Sequence, residues 1–168
     1  MNRRSLLKLL GLMPVATFAG CTSAAEEAGT GKSKLARSEW KKILPPESYR
    51  VLFEEDTERA GTSALNHEKR EGTFVCAACF NPLFASATKY ESGTGWPSFF
   101  APIGPAAVGT RTDYKLIYPR TEYHCAHCSG HQGHVFDDGP APTGKRYCNN
   151  GVALRFIPKT ESLPALRA

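Results

Sequence analysis

The sequence predicts a predominantly β domain with two or three short helices near its N-terminus. In residues 125–156, glycines and prolines exclude a long helix and favour strands joined by tight loops (Gly130, Gly133, Gly139, Pro140, Pro142 and Gly144). Near the C-terminus, apolar Val152, Leu154 and Phe156 alternate along the chain, as in a strand with one buried face. Two short β-rich runs each lead into a pair of cysteines with two residues between them.

Residues 1–20 have the composition of an export signal. Arg3 and Arg4 precede Leu6 and Leu7, an order that resembles a twin-arginine signal. The apolar run at residues 9–19 is too short for a permanent membrane-spanning helix, but it suits the core of a signal peptide. We therefore expect export to the periplasm or cell envelope.

Cys21 leaves two alternatives for the end of this signal. Residues 18–21 resemble a lipoprotein box, in which cleavage before the cysteine leaves a residue that carries lipid. The alternative is an ordinary signal that is cut near residues 23–25. In the first case, the protein would contact the membrane only through the lipid on Cys21.

Net charge and length exclude some classes of function. The formal net charge of +5 falls to +2 when Arg3, Arg4 and Lys8 of the predicted signal are removed. Such a small excess does not indicate a nucleic-acid partner. A chain of 168 residues is expected to hold one domain, and we expect it to act as a monomer.

Residues 21–34 are small and polar and predict a flexible tether, so the folded domain is expected to span residues 35–168. The first helix is predicted to be capped by Ser38 and stopped by Pro45 and Pro46. A second short helix or turn should follow, and the apolar residues of both segments are interpreted as a hydrophobic cap on the main body.

The charged segment 54–72 predicts a surface loop with one helical turn, in which His67 is a solvated side chain. Further along, residues 95–97 join glycine, tryptophan and proline, which suits neither a helix nor a strand. We expect a turn that presents the indole of Trp96.

Two strands are predicted in the second half of the chain besides those that precede the cysteine pairs. Residues 108–118 are expected to have strand character, with Asp113 as a turn residue and with Tyr114, Leu116 and Tyr118 at alternate positions. The last strand is expected to begin just after Cys148, which would place this thiol at the mouth of the strand.

The paired cysteines predict a metal site. Cys76 and Cys79 form one pair and Cys125 and Cys128 the other, and each pair follows a β-rich run. A strand that feeds such a turn allows two thiolates to converge on one metal, so two turns make a four-cysteine tetrahedral zinc site. The alternative is a pair of disulfides, because export leads to an oxidising compartment.

Cys148 has no cysteine nearby, but His131 and His134 lie close to it in the sequence. An odd thiol beside histidines indicates a nucleophile with a general acid or base. The thiolate is the reactive form, so Cys148 is expected to need cationic or donor neighbours. Arg146, two positions earlier, would lie on the same side of a strand.

Four segments, in order, resemble the B-type methionine sulfoxide reductases: residues 72–79, 92–99, 131–140 and 146–156. The resemblance extends from Arg37 to Pro158. It implies a mostly β fold of antiparallel sheets around an active site, a structural zinc ion, and reduction of the R epimer of methionine sulfoxide in peptides and proteins.

The resemblance also assigns roles to individual residues. It implies a nucleophile, active-site polar groups, substrate-binding aromatic rings and zinc ligands (Cys148; His131, His134, Asn150 and Arg146; Trp96 and Phe136; Cys76, Cys79, Cys125 and Cys128). In this chemistry His131 or His134 protonates the sulfoxide oxygen, and Cys148 becomes a sulfenic acid.

This chain departs from the family pattern at Thr94, where many members have a resolving cysteine, and at Gly151, where many have serine. Without a resolving thiol, an external thioredoxin-like reductant is expected to regenerate Cys148. Two alternatives remain at this point: a zinc-bearing binding module without catalysis, and a thiol–disulfide oxidoreductase that uses a cysteine pair.

Overall fold

The computed structural model describes residues 32–167, so the predicted export signal, Cys21 and most of the predicted tether lie outside the described residues. The helices are α1 (Arg37–Ile43) and α2 (Pro46–Glu54), and 3₁₀ turns occur at Ala64–His67, Ser86–Thr88 and Gly151–Ala153. The strands are β1 (Gly72–Cys76), β2 (Pro82–Ala85), β3 (Lys89–Tyr90), β4 (Ser98–Phe99), β5 (Val108–Asp113), β6 (Arg120–Cys125), β7 (His131–Phe136), β8 (Arg146–Asn149) and β9 (Leu154–Pro158). Within this range, no helix is long and apolar enough to cross a membrane.

The strands form two antiparallel sheets, which confirms the predicted fold class. A three-stranded sheet has the order β2-β1-β9, and a six-stranded sheet has the order β3-β4-β8-β7-β6-β5. Each strand pairing is antiparallel. The predicted strands before both cysteine pairs are present as β1 and β6.

Aromatic side chains from both sheets fill the core between them. Phe74 and Phe84 come from the three-stranded sheet, Phe99 and Tyr123 come from the six-stranded sheet, and all four are fully buried. The rings of Phe84 and Phe99 stack with centroids 4.2 Å apart, and Phe74 meets Phe99 edge-on at 4.9 Å. These contacts hold the two sheets in one relative position.

The chain changes sheets shortly after Cys148. β8 belongs to the six-stranded sheet and β9 to the three-stranded sheet, and the turn Gly151–Ala153 joins them. The prediction that Cys148 lies at the mouth of the last strand was therefore wrong. Cys148 lies inside β8, where it is paired with Ser98 on one side and His134 on the other.

The capping residue predicted for the first helix was also wrong. α1 begins at Arg37, so Ser38 lies inside its first turn, and the backbone N–H of Ala36 donates to the Glu39 carboxylate at 2.8 Å. Pro46 is the first residue of α2. Proline suits this position because the N–H it lacks would have no partner inside the helix.

The two helices form the predicted hydrophobic cap. Trp40 of α1 stacks on Phe53 of α2 with ring centroids 5.8 Å apart, and both side chains are buried. Leu44 and Leu52 join the same core cluster as the aromatic residues of the sheets. The following loop contains the predicted helical turn, and His67 is exposed there, as expected.

The strand predicted at residues 108–118 ends early. β5 stops at Asp113, and the large side chains of Tyr114, Leu116 and Tyr118 are all exposed. The alternation of large apolar residues therefore did not indicate a buried strand face here. These residues belong to the loop between β5 and β6, and no other part of the described structure covers this loop.

Candidate active site and metal centre

Neighbouring strands β7 and β8 place four of the predicted site residues on one face of the six-stranded sheet. His134 pairs with Cys148, and Phe136 pairs with Arg146. Alternate residues of a strand share a face, so these two cross-strand pairs are neighbours on the same face of the sheet. Strand alternation therefore places Arg146 on the side of Cys148, as the sequence predicted.

A bulge brings His131 to the same region. His131 and His134 are three residues apart, so regular alternation would place them on opposite faces. The register between β6 and β7 shifts at this point, and the two imidazole rings lie 5.5 Å apart. Gln132, between them, reaches the metal centre through its side chain.

Each histidine is held by a carboxylate that sequence reasoning did not identify. His131 Nδ1 lies 2.8 Å from Glu122 Oε1, and His134 Nε2 lies 2.8 Å from Asp113 Oδ2. The backbone N–H of Lys115 does most to lower the pKa of Asp113, and hydrogen bonds from His134 and a nearby arginine lower it further. Asp113 is therefore ionised at neutral pH and accepts the Nε2 proton of His134.

Burial lowers the pKa of His134 by more than Asp113 raises it. At neutral pH its imidazole is therefore uncharged. Because Nε2 carries the proton that Asp113 accepts, Nδ1 has a free lone pair and can accept a proton from another group.

Cys148 is half-buried beside a chain of hydroxyl groups. The Ser92 hydroxyl lies 2.8 Å from both the Ser98 and the Thr94 hydroxyls. Burial raises the pKa of Cys148, and Arg146 and the Thr94 hydroxyl only partly counteract this effect. The Thr94 hydroxyl therefore lies within hydrogen-bond reach of the Cys148 thiol.

Arg146 supplies the expected cationic neighbour, but its charge is already paired. Its Nε and Nη2 donate to the two carboxylate oxygens of Asp138 at 2.8 and 2.9 Å, and its guanidinium lies 4.3 Å from the ring centre of Phe136. The negative charge of Asp138 raises the pKa of Cys148 again. In the free protein, Cys148 is therefore a protonated thiol at neutral pH.

The Trp96 indole is fixed by a residue from a distant part of the chain. Its Nε1 donates to the backbone carbonyl of Glu58 at 2.9 Å. The backbone N–H of Glu58 donates to Asn150 Oδ1 at 2.9 Å, and Asn150 Nδ2 donates to the carbonyl of Gln132 at 3.0 Å. Asn150 thus links the loop that positions Trp96 to the bulged strand of the histidines.

Glu58 also holds the turn that follows Cys148. Its carboxylate accepts from the backbone N–H groups of Gly151 at 2.5 Å and Val152 at 3.3 Å. A Cβ atom at position 151 would lie 1.8 Å from Ser63 Oγ and 2.5 Å from Ser63 Cβ. The packing of Ser63 therefore leaves no room for a side chain at position 151.

These groups surround a cavity of about 120 Å³. It is lined by predicted and unpredicted residues (Cys148, His134, Trp96, Phe136 and Asn150; Thr57, Arg120, Gly133 and Asn149). Arg146 lies behind Phe136, and His131 lines an adjoining cleft. A larger cavity of about 510 Å³ lies near Glu58 and Arg50 but includes no cysteine or histidine in its lining.

The two cysteine pairs form matching turns. In the first turn, the backbone N–H of Cys76 donates to the carbonyl of Asn81, and the N–H of Phe80 donates to the carbonyl of Cys76. In the second turn, the N–H of Cys125 donates to the carbonyl of Gly130, and the N–H of Ser129 donates to the carbonyl of Cys125. All four distances are 2.9 Å. Phe80 and Ser129 each follow a pair and have φ of 66° and 59°. This left-handed residue turns the chain so that both sulfur atoms face inward.

The four sulfur atoms converge as a zinc site requires. Cys76 Sγ lies 3.6 Å from Cys128 Sγ, Cys79 Sγ lies 3.5 Å from Cys125 Sγ, and all four atoms lie within 4.8 Å of one another. These distances exceed a disulfide bond of about 2.05 Å and suit thiolates around one tetrahedral ion. The donor set fits Zn²⁺ and is complete without solvent.

The four-cysteine cluster is joined through β7 to the face of the six-stranded sheet that carries Cys148. Gln132 Nε2 donates to Cys76 Sγ at 3.4 Å, and its own backbone carbonyl accepts from Asn150. Gln132 is fully buried between the two sites. Gln132 therefore links the four-cysteine cluster to the bulged part of β7 next to His131.

Comparison with known proteins shows the family to which this chain belongs. The SelR domain model matches residues 44–158. The chain is 51% identical over 126 residues to the peptide methionine sulfoxide reductase MsrB of Methanosarcina barkeri, covering 75% of this chain and 87% of that protein. It is 52% identical over 118 residues to the corresponding protein of Leptospira interrogans, covering 70% and 90%. It is 51% identical over 125 residues to the chloroplastic peptide methionine sulfoxide reductase B1 of Arabidopsis thaliana, covering 74% and 61%.

Proposed function

The chain belongs to the SelR-domain family of B-type peptide methionine sulfoxide reductases, and we propose that it repairs oxidised proteins of the cell envelope. It is an enzyme that reduces methionine-R-sulfoxide in proteins. The observation that carries this function is the pairing of Cys148 with His134 across two strands, at a cavity that Trp96 also lines.

Cys148 is the nucleophile, and His134 accepts the proton of its thiol. The protonated thiol and the neutral imidazole are matched for transfer of that proton to His134 Nδ1 as the sulfur attacks. His134 then donates the proton to the sulfoxide oxygen. The attack forms a bond between the Cys148 sulfur and the methionine sulfur. This S–S bond and the substrate S–O bond then break as the hydroxyl oxygen bonds to Cys148, so the methionine sulfur gains two electrons and Cys148 becomes a sulfenic acid.

The remaining site residues hold the substrate and the reacting groups. Trp96 packs against the S-methyl group, and Phe136 forms the opposite wall on which Arg146 stacks. His131 stands next to His134 and provides a second polar group toward the sulfoxide oxygen. Asn150 positions Trp96 indirectly, because its side chain holds the loop that contains Glu58.

Selectivity for one epimer tests the function directly. With dithiothreitol as reductant, the enzyme is expected to turn over the R epimer of an N-acetylated methionine sulfoxide amide and to leave the S epimer largely unreduced, because Trp96 fixes the methyl group on one side of the thiol. Chiral chromatography of the residual substrate measures both rates. Equal rates for the two epimers would contradict the assignment.

The alternatives considered from the sequence are less favoured. A binding module without catalysis would not need Cys148, and the relatives of this chain are named as reductases. A redox-active cysteine pair would require thiols that are free to form a disulfide. The four paired cysteines are instead arranged to bind one metal ion, and we propose that this ion is structural zinc.

Regeneration of Cys148 is proposed to need an external thiol. Thr94 faces Cys148, and a hydroxyl cannot form a disulfide with it. A thioredoxin-like dithiol would attack the sulfenic sulfur, release water and form a mixed disulfide, which its second thiol then resolves. We propose that the enzyme acts as a monomer with this partner.

Oxidation without reductant should therefore trap the sulfenic acid. After one equivalent of peptide methionine-R-sulfoxide, dimedone is expected to label Cys148 at close to one adduct per chain by mass spectrometry. Thr94→Cys should instead form a disulfide with Cys148 and lose the adduct. A rapid disulfide between Cys148 and any cysteine of the unmodified protein would refute the proposal, and Cys21→Ser is the control for a partner outside the described residues.

Export by the twin-arginine route remains a proposal that rests on residues 1–21. A route that carries folded proteins would allow zinc to be loaded in the reducing cytoplasm before export. Replacing Arg3 and Arg4 with lysine, which retains both charges, is expected to leave precursor in the cytoplasm, as fractionation and blotting would show. Unchanged export that depends on the general secretory channel would contradict this route. Mass spectrometry of the mature N-terminus would show whether Cys21 carries lipid.

A further inference from the structure

The loop between β5 and β6, residues 114–119, exposes an unusual amount of apolar surface, and we call it the tip loop. Tyr114, Leu116, Ile117 and Tyr118 are between 58 and 94% exposed. Elsewhere in residues 32–167, only three other large apolar side chains are exposed: Ile43, Ile103 and Leu163. Four such side chains in five consecutive residues form a patch of the kind that marks interaction sites.

The base of the tip loop is attached to the catalytic face. Asp113 accepts the backbone N–H of Lys115 at 2.8 Å and forms an ion pair with Arg120 at 2.6 Å. The same carboxylate holds His134. On the other side, Lys115 Nζ lies 2.6 Å from Glu55 at the end of α2. These contacts fix where the apolar residues emerge relative to the reacting groups.

A cleft leads from the tip loop to the catalytic cavity. It has a volume of about 280 Å³, and its lining includes Tyr114 and Leu116 of the tip loop together with His131 and His134. Arg120 lines both the cleft and the cavity, and its buried Nε has no hydrogen-bond partner among the described residues. A donor at this junction suits a peptide carbonyl that passes from one space to the other.

We propose that the tip loop docks the apolar residues that flank methionine sulfoxide in an unfolded substrate segment. This inference rests on the proposed function. The cavity of about 120 Å³ holds little more than the oxidised side chain, so the rest of a polypeptide substrate must lie outside it. The cleft leads that polypeptide directly to the tip loop.

The chemistry of the substrate matches the loop. Methionine is mostly a buried residue, so its neighbours in the sequence are often apolar. Oxidation makes the side chain polar and disrupts the core, which exposes those neighbours. A membrane surface or a second copy could also cover an apolar loop, but neither accounts for a cleft that joins the loop to Cys148 and His134.

Three substrates separate docking from catalysis. One is N-acetyl methionine-R-sulfoxide amide, and the others are two pentapeptides with the same oxidised residue flanked by leucines or by serines. The wild-type enzyme is expected to have a kcat/KM about tenfold or more higher for the leucine peptide than for the serine peptide. If the enzyme reduces none of the three, the proposed function itself is wrong.

The variant Ile117→Ser/Tyr118→Ser removes apolar surface from the tip loop without changing a residue that lines the cleft or the cavity. It should lose the preference for the leucine peptide, mainly through KM, and reduce the small amide at the wild-type rate. Ile43→Ser/Leu163→Ser, which also removes two exposed apolar side chains, should keep the preference. An unchanged preference in the tip-loop variant would overturn the proposal, and so would a wild-type enzyme without the preference whose tip loop binds lipid vesicles.

Discussion

Cys148→Ser is expected to lower kcat on peptide methionine-R-sulfoxide by at least about 10⁴-fold, the scale of loss when a catalytic nucleophile is removed. Serine is close in size, so the cavity keeps its shape. Its hydroxyl is far harder to deprotonate than a thiol and is a weaker nucleophile toward sulfur. The neutral imidazole of His134 is a much poorer match for a hydroxyl proton than for a thiol proton.

The loss should be chemical and not structural. Cys148 is not one of the four clustered cysteines, so the variant should keep its zinc content and its Tm within a few degrees. Single-turnover rates for wild type and variant, with zinc analysis and thermal unfolding, distinguish the two causes. Activity within tenfold of wild type would remove Cys148 from the nucleophile's role.

Cys125→Ser is expected to have the largest effect on stability. Its fully buried Sγ lies 3.5 Å from Cys79 Sγ and accepts from Asn81 Nδ2 at 3.6 Å. Structural zinc sites contribute on the order of 10–16 kcal/mol in small peptides, which is comparable to the whole free energy of unfolding of a domain, about 5–15 kcal/mol. Loss of one ligand should therefore lower Tm by roughly 15 °C or more, or prevent folding.

Metal analysis and thermal unfolding test this expectation together. Wild-type protein should contain one zinc per chain, and Cys125→Ser should contain much less. Cys148→Ser is the matched control, because it makes the same atomic replacement in a cysteine outside the metal centre. Wild-type protein that lacks zinc and contains two disulfides among these cysteines would refute the metal site and restore the alternative that the sequence left open.

Loss of zinc should also affect catalysis in the fraction that remains folded. Gln132 joins Cys76 Sγ to the backbone near Asn150, and the bulge beside it carries His131. When the metal is lost, we expect the positions of the two histidines and of the loop that holds Trp96 to change first. We therefore expect the site to depend on whether the four-cysteine cluster is occupied by a metal ion.

Local features of the sequence were enough to predict the four-cysteine cluster and part of the face that carries Cys148. The turn that brings Cys76 to Cys79 forms within a few residues, so its spacing alone predicts it. The same holds for Arg146 and Cys148, because alternation along one short strand places them on the same side. Four motifs in order were sufficient to indicate the family, because each motif is a short run of neighbouring residues.

Burial and register could not be predicted in the same way. The alternating residues of the tip loop resemble a strand in the sequence. This pattern does not show whether another part of the protein packs against these residues. His131 reaches the face of His134 only through the bulge in β7, which depends on pairing with β6. The sequence also did not show that Cys148 lies in a strand of its own. β8 and β9 are separate strands because the chain passes from one sheet to the other between them.

The sequence by itself determined which groups this protein has for chemistry: a lone thiol, two nearby histidines, an indole in a tight turn and four paired cysteines. Only the tertiary structure decided their state. It buries Cys148, pairs Arg146 with Asp138 and leaves His134 neutral, so the resting nucleophile is a thiol. It also fixes Trp96 through the carbonyl of Glu58, 38 residues away in the chain. Burial, charge pairing and long-range hydrogen bonds arise between segments that only folding brings together, which is why no local pattern records them.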